Sequence, residues 1–238
     1  MKIAVIGNSH CGALISAWEE QSHRRQDVSL TFFAMPGHMG LRTLKIKGDA
    51  LVPNTPRQRK ILRRISGGLE RIETGNFDRF LVYGLLKHPL PEEGDAHHSS
   101  ALREAILQDR LHDSSAKFIL KSLQSITDKP IDVGPAPYLV PSKKDPVAQW
   151  QSTPAQDSKF FSDGFKALGA ERFIAQPEES LLIADTTQAP TRATDPRYSK
   201  GSIKIVTGGG VHPESDRKHM NAAYGALWLE RYLADLPH

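Results

Sequence analysis

The chain has 238 residues, 39% of them hydrophobic and 24% charged, which is enough to bury one substantial core and too apolar for disorder throughout. A formal charge of +4 and a pI near 9.1 give only a weak preference for anionic partners. The longest apolar runs, of about six residues, fall far short of a membrane span. Met1-Lys2-Ile3-Ala4-Val5-Ile6 then Gly7-Asn8 is too short for a signal-peptide core and has no small-residue cleavage site after it. The expectation is one domain over residues 1–238, in the cytoplasm, without membrane contact. A single cysteine, Cys11, excludes an internal disulfide framework and a cysteine zinc cluster. It reads as a small packing residue rather than a reactive thiol.

In chain order, residues 2–6 read as a buried strand ending in Gly7-Asn8, followed by a helix from near Ser9 to about Gln21. Residues 28–33 form a second strand, closed by Pro36-Gly37. Residues 41–55 read as a hairpin or an excursion. Thr55-Pro56 is a helix start, and Arg57, Arg59, Lys60, Arg63 and Arg64 around Ile61, Leu62 and Ile65 make that helix amphipathic and basic. Residues 77–83 are a third strand ended by Gly84. Helical stretches follow at 98–110 and 113–126, then a fourth strand at 130–133. Pro135, Pro137 and Pro141 impose an extended path. Residues 141–157 read as a surface loop, and 160–168 as a helix stopped by Gly169. The chain is then irregular to about residue 201, except for a short strand at 181–183. Met220 through Leu233 closes the chain as a helix. Strands separated by helices argue for a parallel sheet covered on both faces, with any site beyond the carboxyl ends of its strands.

Two segments carry residue types suited to chemistry. Ser9 follows the first strand and precedes a helix, whose unpaired N–H groups either take the serine as a cap or stabilise an oxyanion. Gly7-Asn8-Ser9-His10 is neither the five-residue elbow of α/β-hydrolases nor a phosphate-binding loop. Asp216 and His219, before the last helix, are spaced so that the carboxylate meets one ring nitrogen and leaves the other free to face Ser9. An acidic helix cap with a solvent-facing histidine is the bland alternative. His97-His98 reads as an exposed turn, and Gly208-Gly209-Gly210 before His212 as a tight loop.

Gly7-Asn8-Ser9-His10 together with Asp216-x-x-His219 resembles the SGNH (GDSL-like) hydrolase superfamily. The resemblance implies an α/β fold, a three-layer α/β/α sandwich with a mostly parallel, flavodoxin-like sheet. It implies Ser9 as nucleophile, His219 as base and Asp216 as the acid that orients it, with Asn8 where the commonest form has aspartate. The family's second block points to the Gly37 N–H as an oxyanion donor, with Gly40 as second choice. Its third block, Gly-x-Asn-Asp, aligns with Gly84-Leu85-Leu86-Lys87. Leu86 therefore stands where the family has its asparagine donor, and loss of one such donor typically costs roughly 3–4 kcal/mol. Asn54, Lys87, His88 and His10 are the candidate substitutes, and Leu86→Asn is expected to raise turnover.

The function implied is a serine esterase, deacetylase or acyltransferase acting on a small acyl ester of a carbohydrate or other polar molecule, with no cofactor and no metal. The alternative is a non-catalytic member that binds a glycan or assists polysaccharide biosynthesis. A third reading is an anionic-polymer binder acting through residues 57–64. Without a zinc finger, an arginine tail or basic–aromatic alternation, nucleic-acid binding is disfavoured as the main job.

Overall fold

The computed structural model describes residues 1–37, 40–87, 99–141, 154–183, 193–199 and 216–237. Its centre is a five-stranded parallel sheet of β1 (Lys2–Gly7), β2 (Ser29–Ala34), β6 (Arg79–Tyr83), β7 (Ile131–Gly134) and β8 (Arg172–Phe173), in the order β2-β1-β6-β7-β8. Counted within this sheet alone, the order is 2-1-3-4-5. Helices α1 (Cys11–Gln21), α2 (Pro56–Ile65), α3 (Ser100–His112), α4 (Ser115–Gln124), α5 (Pro154–Ala167) and α6 (Ala222–Ala234) flank it. The fold is thus α/β with a parallel central sheet between helices.

The apolar run of β1 explains its place at the heart of the sheet. Ile3, Ala4, Val5 and Ile6 are all fully buried. Ala4 and Ile6 enter one apolar cluster, with residues of α4 and α5; Ile3 and Val5 enter the other, with residues of α1 and α6. A strand covered on both faces needs no polar alternation. Full burial of each Ile or Val side chain contributes roughly 1.5–3 kcal/mol.

The segment from 41 to 55 does contain a hairpin, β3 (Lys45–Lys47) against β4 (Ala50–Val52), which β5 (Ile72–Glu73) extends to a small antiparallel sheet. Helix α2 starts where Thr55-Pro56 predicts. The Gln58 N–H donates to Thr55 Oγ1 and the Thr55 N–H to Gln58 Oε1, both at 3.2 Å, with Pro56 in the first turn.

Two expectations change. Residues 154–157, expected in a loop, form the first turn of α5. Proline is at ease in a first turn, where its missing N–H has no intrahelical partner, and Asp157 there suits the helix dipole. The strand β8 lies in a stretch expected to be irregular. Two residues carry no periodicity, and the tertiary bonds Glu171 N–H to Ile131 O and Ile174 N–H to Val133 O, each 2.8 Å, place it. Leu181, expected in a short strand, makes only an isolated bridge to Thr194. His88, His97-His98, the triple glycine and His212 lie outside the described residues. Among the described residues no helix is long and apolar enough to cross a membrane.

Candidate active site

Strand β1 delivers the chain to the carboxyl edge of the sheet, and Gly7 makes the exit tight. A Cβ at Gly7 would sit 2.4 Å from both Cys11 Sγ and the Tyr83 carbonyl oxygen, so only glycine fits. Cys11 is buried and free, its thiol raised by burial, which suits the packing role expected of it. The helix expected to start near Ser9 runs over Cys11–Gln21, with His10 at its N-cap. Ser9 is not its cap, and among the described residues no carbonyl accepts from the Ser9 N–H.

Asn8 holds this turn in place. Its Nδ2 donates to the Gly84 carbonyl at 2.6 Å, and its Oδ1 accepts from the His10 N–H at 3.0 Å. Gly84 has φ +74°, and a Cβ there would lie 2.7 Å from Asn8 Oδ1. In the sequence Asn8 is marked only by its place after a strand end; its burial, which obliges the amide to find partners, comes from the fold.

The second half of the site precedes α6. Asp216 Oδ1 accepts from the Lys218 N–H at 2.8 Å and the His219 N–H at 3.1 Å, which curls the segment. Asp216 Oδ2 lies 2.7 Å from His219 Nδ1, and His219 Nε2 lies 2.8 Å from Ser9 Oγ. A carboxylate only accepts, so the ring proton sits on Nδ1 and Nε2 accepts from the Ser9 hydroxyl. Burial alone would raise the Asp216 carboxyl. The bonds from His219 and from the Lys218 and His219 N–H groups outweigh it and hold the pKa at about 2.

Packing between α1 and α6 brings the halves together. Gly225 crosses α1 so closely that a Cβ there would lie 2.0 Å from the Ala13 carbonyl oxygen. Asn221 caps α6 by accepting from the Tyr224 N–H at 3.1 Å. Arg217 ties its own segment to the extended chain after β7, with Val140 N–H to Arg217 O at 3.0 Å and Arg217 Nε to Val140 O at 2.5 Å.

The His10 ring lies 5.3 Å from that of His219, centroid to centroid. Its Nδ1 is out of water and has no hydrogen-bond partner. Burial chiefly, then the neighbouring His219 and Lys87, hold its pKa down to about 3. A neutral His10 adds no positive charge beside His219.

The other candidates are scattered. Gly37, φ +74°, is exposed just past β2, whose exit is tied to β1 by Met35 N–H to Gly7 O at 3.0 Å. Gly40 backs onto Met35. Lys87 is exposed and close enough to His10 to act on it electrostatically. Asn54 is exposed at the start of α2, where its N–H donates to Gln58 Oε1 at 3.0 Å, a helix-capping position without contact to Ser9 or His219. Leu86 is fully buried in the apolar cluster with Phe33, Met35 and Phe80, and its carbonyl accepts from the Ala136 N–H at 2.8 Å. The expected gain from Leu86→Asn is corrected accordingly: an amide there enters the core, not the site. Among the described residues no group of three or more His, Cys, Asp or Glu side chains is placed to hold a metal ion.

No protein-family model matches the chain, and no curated protein matches it in sequence. Several solved structures align along nearly its whole length at low similarity. The periplasmic domain of a lipopolysaccharide acetyltransferase from Salmonella ser. Paratyphi A is 11% identical, with a TM-score of 0.49 over 98% of this chain and 82% of that one. A carbohydrate acetylesterase family member from Sinorhizobium meliloti is 10% identical, with a TM-score of 0.43 over 98% and 97%. A GDSL-like lipase from Bacteroides thetaiotaomicron is 8% identical, with a TM-score of 0.41 over 99% and 89%. The first of these is a periplasmic domain, and the cytoplasmic location expected from the N-terminal residues is withdrawn. At these similarities the functional reading rests on this chain's own side chains.

Proposed function

We propose that the chain is a serine hydrolase or acyltransferase of SGNH type, built on a three-layer, flavodoxin-like α/β/α sandwich and acting on a small acyl ester of a carbohydrate or other polar molecule. One observation carries the reading: the unbroken chain Asp216 Oδ2, His219 Nδ1, His219 Nε2, Ser9 Oγ, with links of 2.7 and 2.8 Å. A base within hydrogen-bond reach of a hydroxyl, itself oriented by a carboxylate, is what activates a serine.

In this reading Ser9 Oγ attacks the ester carbonyl carbon while His219 Nε2 takes its proton. Asp216, held ionised, stabilises the resulting imidazolium and keeps its Nδ1–H directed. The oxyanion is received by the Ser9 N–H and the Gly37 N–H. Collapse of the tetrahedral intermediate breaks the ester C–O bond, and His219 returns the proton to the departing alcohol. Water or a sugar hydroxyl, deprotonated by the same ring, then attacks the acyl-enzyme and frees Ser9.

A fluorophosphonate probe tests the assignment. The expected result is one adduct, mapped by mass to Ser9, absent from Ser9→Ala and largely lost in His219→Ala. An adduct on another serine, or equal labelling of Ser9→Ala, refutes it. One observation favours a non-catalytic glycan-binding role instead: the buried Leu86 supplies no third donor to the oxyanion. A well-folded protein that takes no label and cleaves no aryl acetate would support that role.

A further inference from the structure

Helix α2 is built against the usual electrostatic rules. Its ten residues, Pro-Arg-Gln-Arg-Lys-Ile-Leu-Arg-Arg-Ile, hold five cations and no acid, and its first turn carries no acidic residue. Cations near a helix N-terminus oppose the dipole, and like charges at i,i+3 and i,i+4 repel, as Arg57–Lys60, Arg59–Arg63 and Lys60–Arg64 do. A locally unfavourable arrangement that folding does not require points to a use elsewhere.

Four of the five cations divide into two groups. Arg59 and Arg63 lie 3.8 and 3.4 Å from the carboxylate of Glu70. Arg57 and Lys60 have no acidic partner among the described residues. Arg57, Lys60, Ile61 and Arg64 follow the i, i+3, i+4, i+7 spacing of one helix face. That face, with Arg63, lines an open groove whose far side includes Pro36. Pro36 precedes Gly37, and Met35 is bonded to Gly7, two residues before Ser9. Chain reach alone keeps Pro36 Cα within about 18 Å of Ser9 Cα. Pro36 thus places one end of the groove at the carboxyl edge of the sheet, the edge from which the chain leads to Ser9.

We propose that this groove binds the anionic groups of a polyanionic saccharide, so that the ester substrate, on the function proposed above, is an acylated acidic carbohydrate chain. Arg57 and Lys60 meet its carboxylates, and Ile61 and Pro36 take the apolar faces of its sugar rings. Among the described residues no aromatic side chain lines the groove, so they offer none of the stacking on which binding of single-stranded nucleic acids depends.

The test reads binding without turnover, so its failure leaves the Ser9 chemistry untouched, and a failed Ser9 assignment leaves it readable. Calorimetric titration of the Ser9→Ala protein with trigalacturonate is compared with maltotriose, a neutral trisaccharide, and with a short single-stranded DNA. Trigalacturonate is expected to bind at least about tenfold more tightly than maltotriose, with an affinity that falls as salt rises. Arg57→Gln/Lys60→Gln is expected to weaken trigalacturonate binding about tenfold. Because Arg57 opposes the helix dipole and Lys60 repels Arg57 and Arg64, the double variant should melt no lower than its parent. Equal binding of the acidic and neutral trisaccharides, unchanged binding by the double variant, a lowered Tm, or tighter binding of the DNA would each overturn the proposal.

Discussion

Gly225→Ala should separate the two halves of the site without touching either. The added Cβ would stand 2.0 Å from the backbone oxygen of Ala13. Ordinary contact begins at roughly 3.4 Å, so α6 must move off α1 by about 1.4 Å or tilt by as much locally. No side-chain rotamer relieves a clash between a helical Cβ and a backbone carbonyl. His219 lies three positions before the first residue of α6, and Ser9 two positions before that of α1. A displacement of that size, passed to the helix start, opens the 2.8 Å Ser9–His219 bond beyond hydrogen-bond length. Overpacking of this kind costs about 1–3 kcal/mol. At this chain length each kcal/mol lowers Tm by roughly 2–4 °C. Misplacement by about 1 Å costs on the order of 10²-fold in reactivity. The measurements are Tm by calorimetry and the second-order rate of Ser9 labelling by a fluorophosphonate. The expected result is a folded protein, melting several degrees lower, that labels on the order of a hundredfold more slowly. An unchanged Tm would show that α1 and α6 do not approach as closely as described. A lowered Tm with an unchanged labelling rate would show that the helix contact does not set the Ser9–His219 distance.

Leu86→Asn places an amide among Phe33, Met35 and Phe80; it should cost about 1–3 kcal/mol in urea unfolding and leave aryl acetate turnover no higher than wild type. Asp216→Asn should lower turnover by about 10³–10⁴-fold, because an amide does not hold the Nδ1–H tautomer as a carboxylate does. The same variant tests linkage. With its pKa depressed to about 2, Asp216 contributes stability that is full above the ordinary carboxylate value near about 4 and is lost as pH falls through about 2. Asp216→Asn should therefore flatten the acid limb of the stability profile between about pH 4 and 2, read as Tm against pH. Asp132→Ala should cost about 3–5 kcal/mol in denaturant unfolding. That fully buried carboxylate accepts from Arg79 Nη1 at 2.8 Å, Arg172 Nη2 at 2.9 Å and Tyr232 OH at 3.1 Å, and its loss strands two cations.

The strands of the sheet were readable because β1, β2, β6 and β7 are short, mostly apolar stretches bounded by turn residues, a local pattern that needs no knowledge of neighbours. The Thr55–Gln58 start of α2 was readable for the same reason: each partner lies within one turn of the other. Residues 172–173 carried no such pattern, since an edge strand of two residues is defined by the strand it joins. Asp132 showed nothing of its role, because Arg79, Arg172 and Tyr232 come to it from 40 to 100 residues away.

The candidate site divides along the same line. The residue types and spacing of Ser9 and of Asp216-x-x-His219 stand in the sequence, and the short Asp216–His219 bond follows from a three-residue separation. The Ser9–His219 bond spans 210 residues. It exists because β1 leads into α1, because α1 and α6 pack at the contact allowed by Gly225, and because Asn8 pins the serine turn to Gly84. The orientation of Leu86 was likewise a matter of tertiary structure. A leucine beside a strand end is compatible with a site or with a core, and only the apolar cluster around it decides that its side chain turns inward. Local sequence sets which groups are available and how each short segment bends, whereas distances between groups far apart in the chain are set by which apolar faces must be buried together.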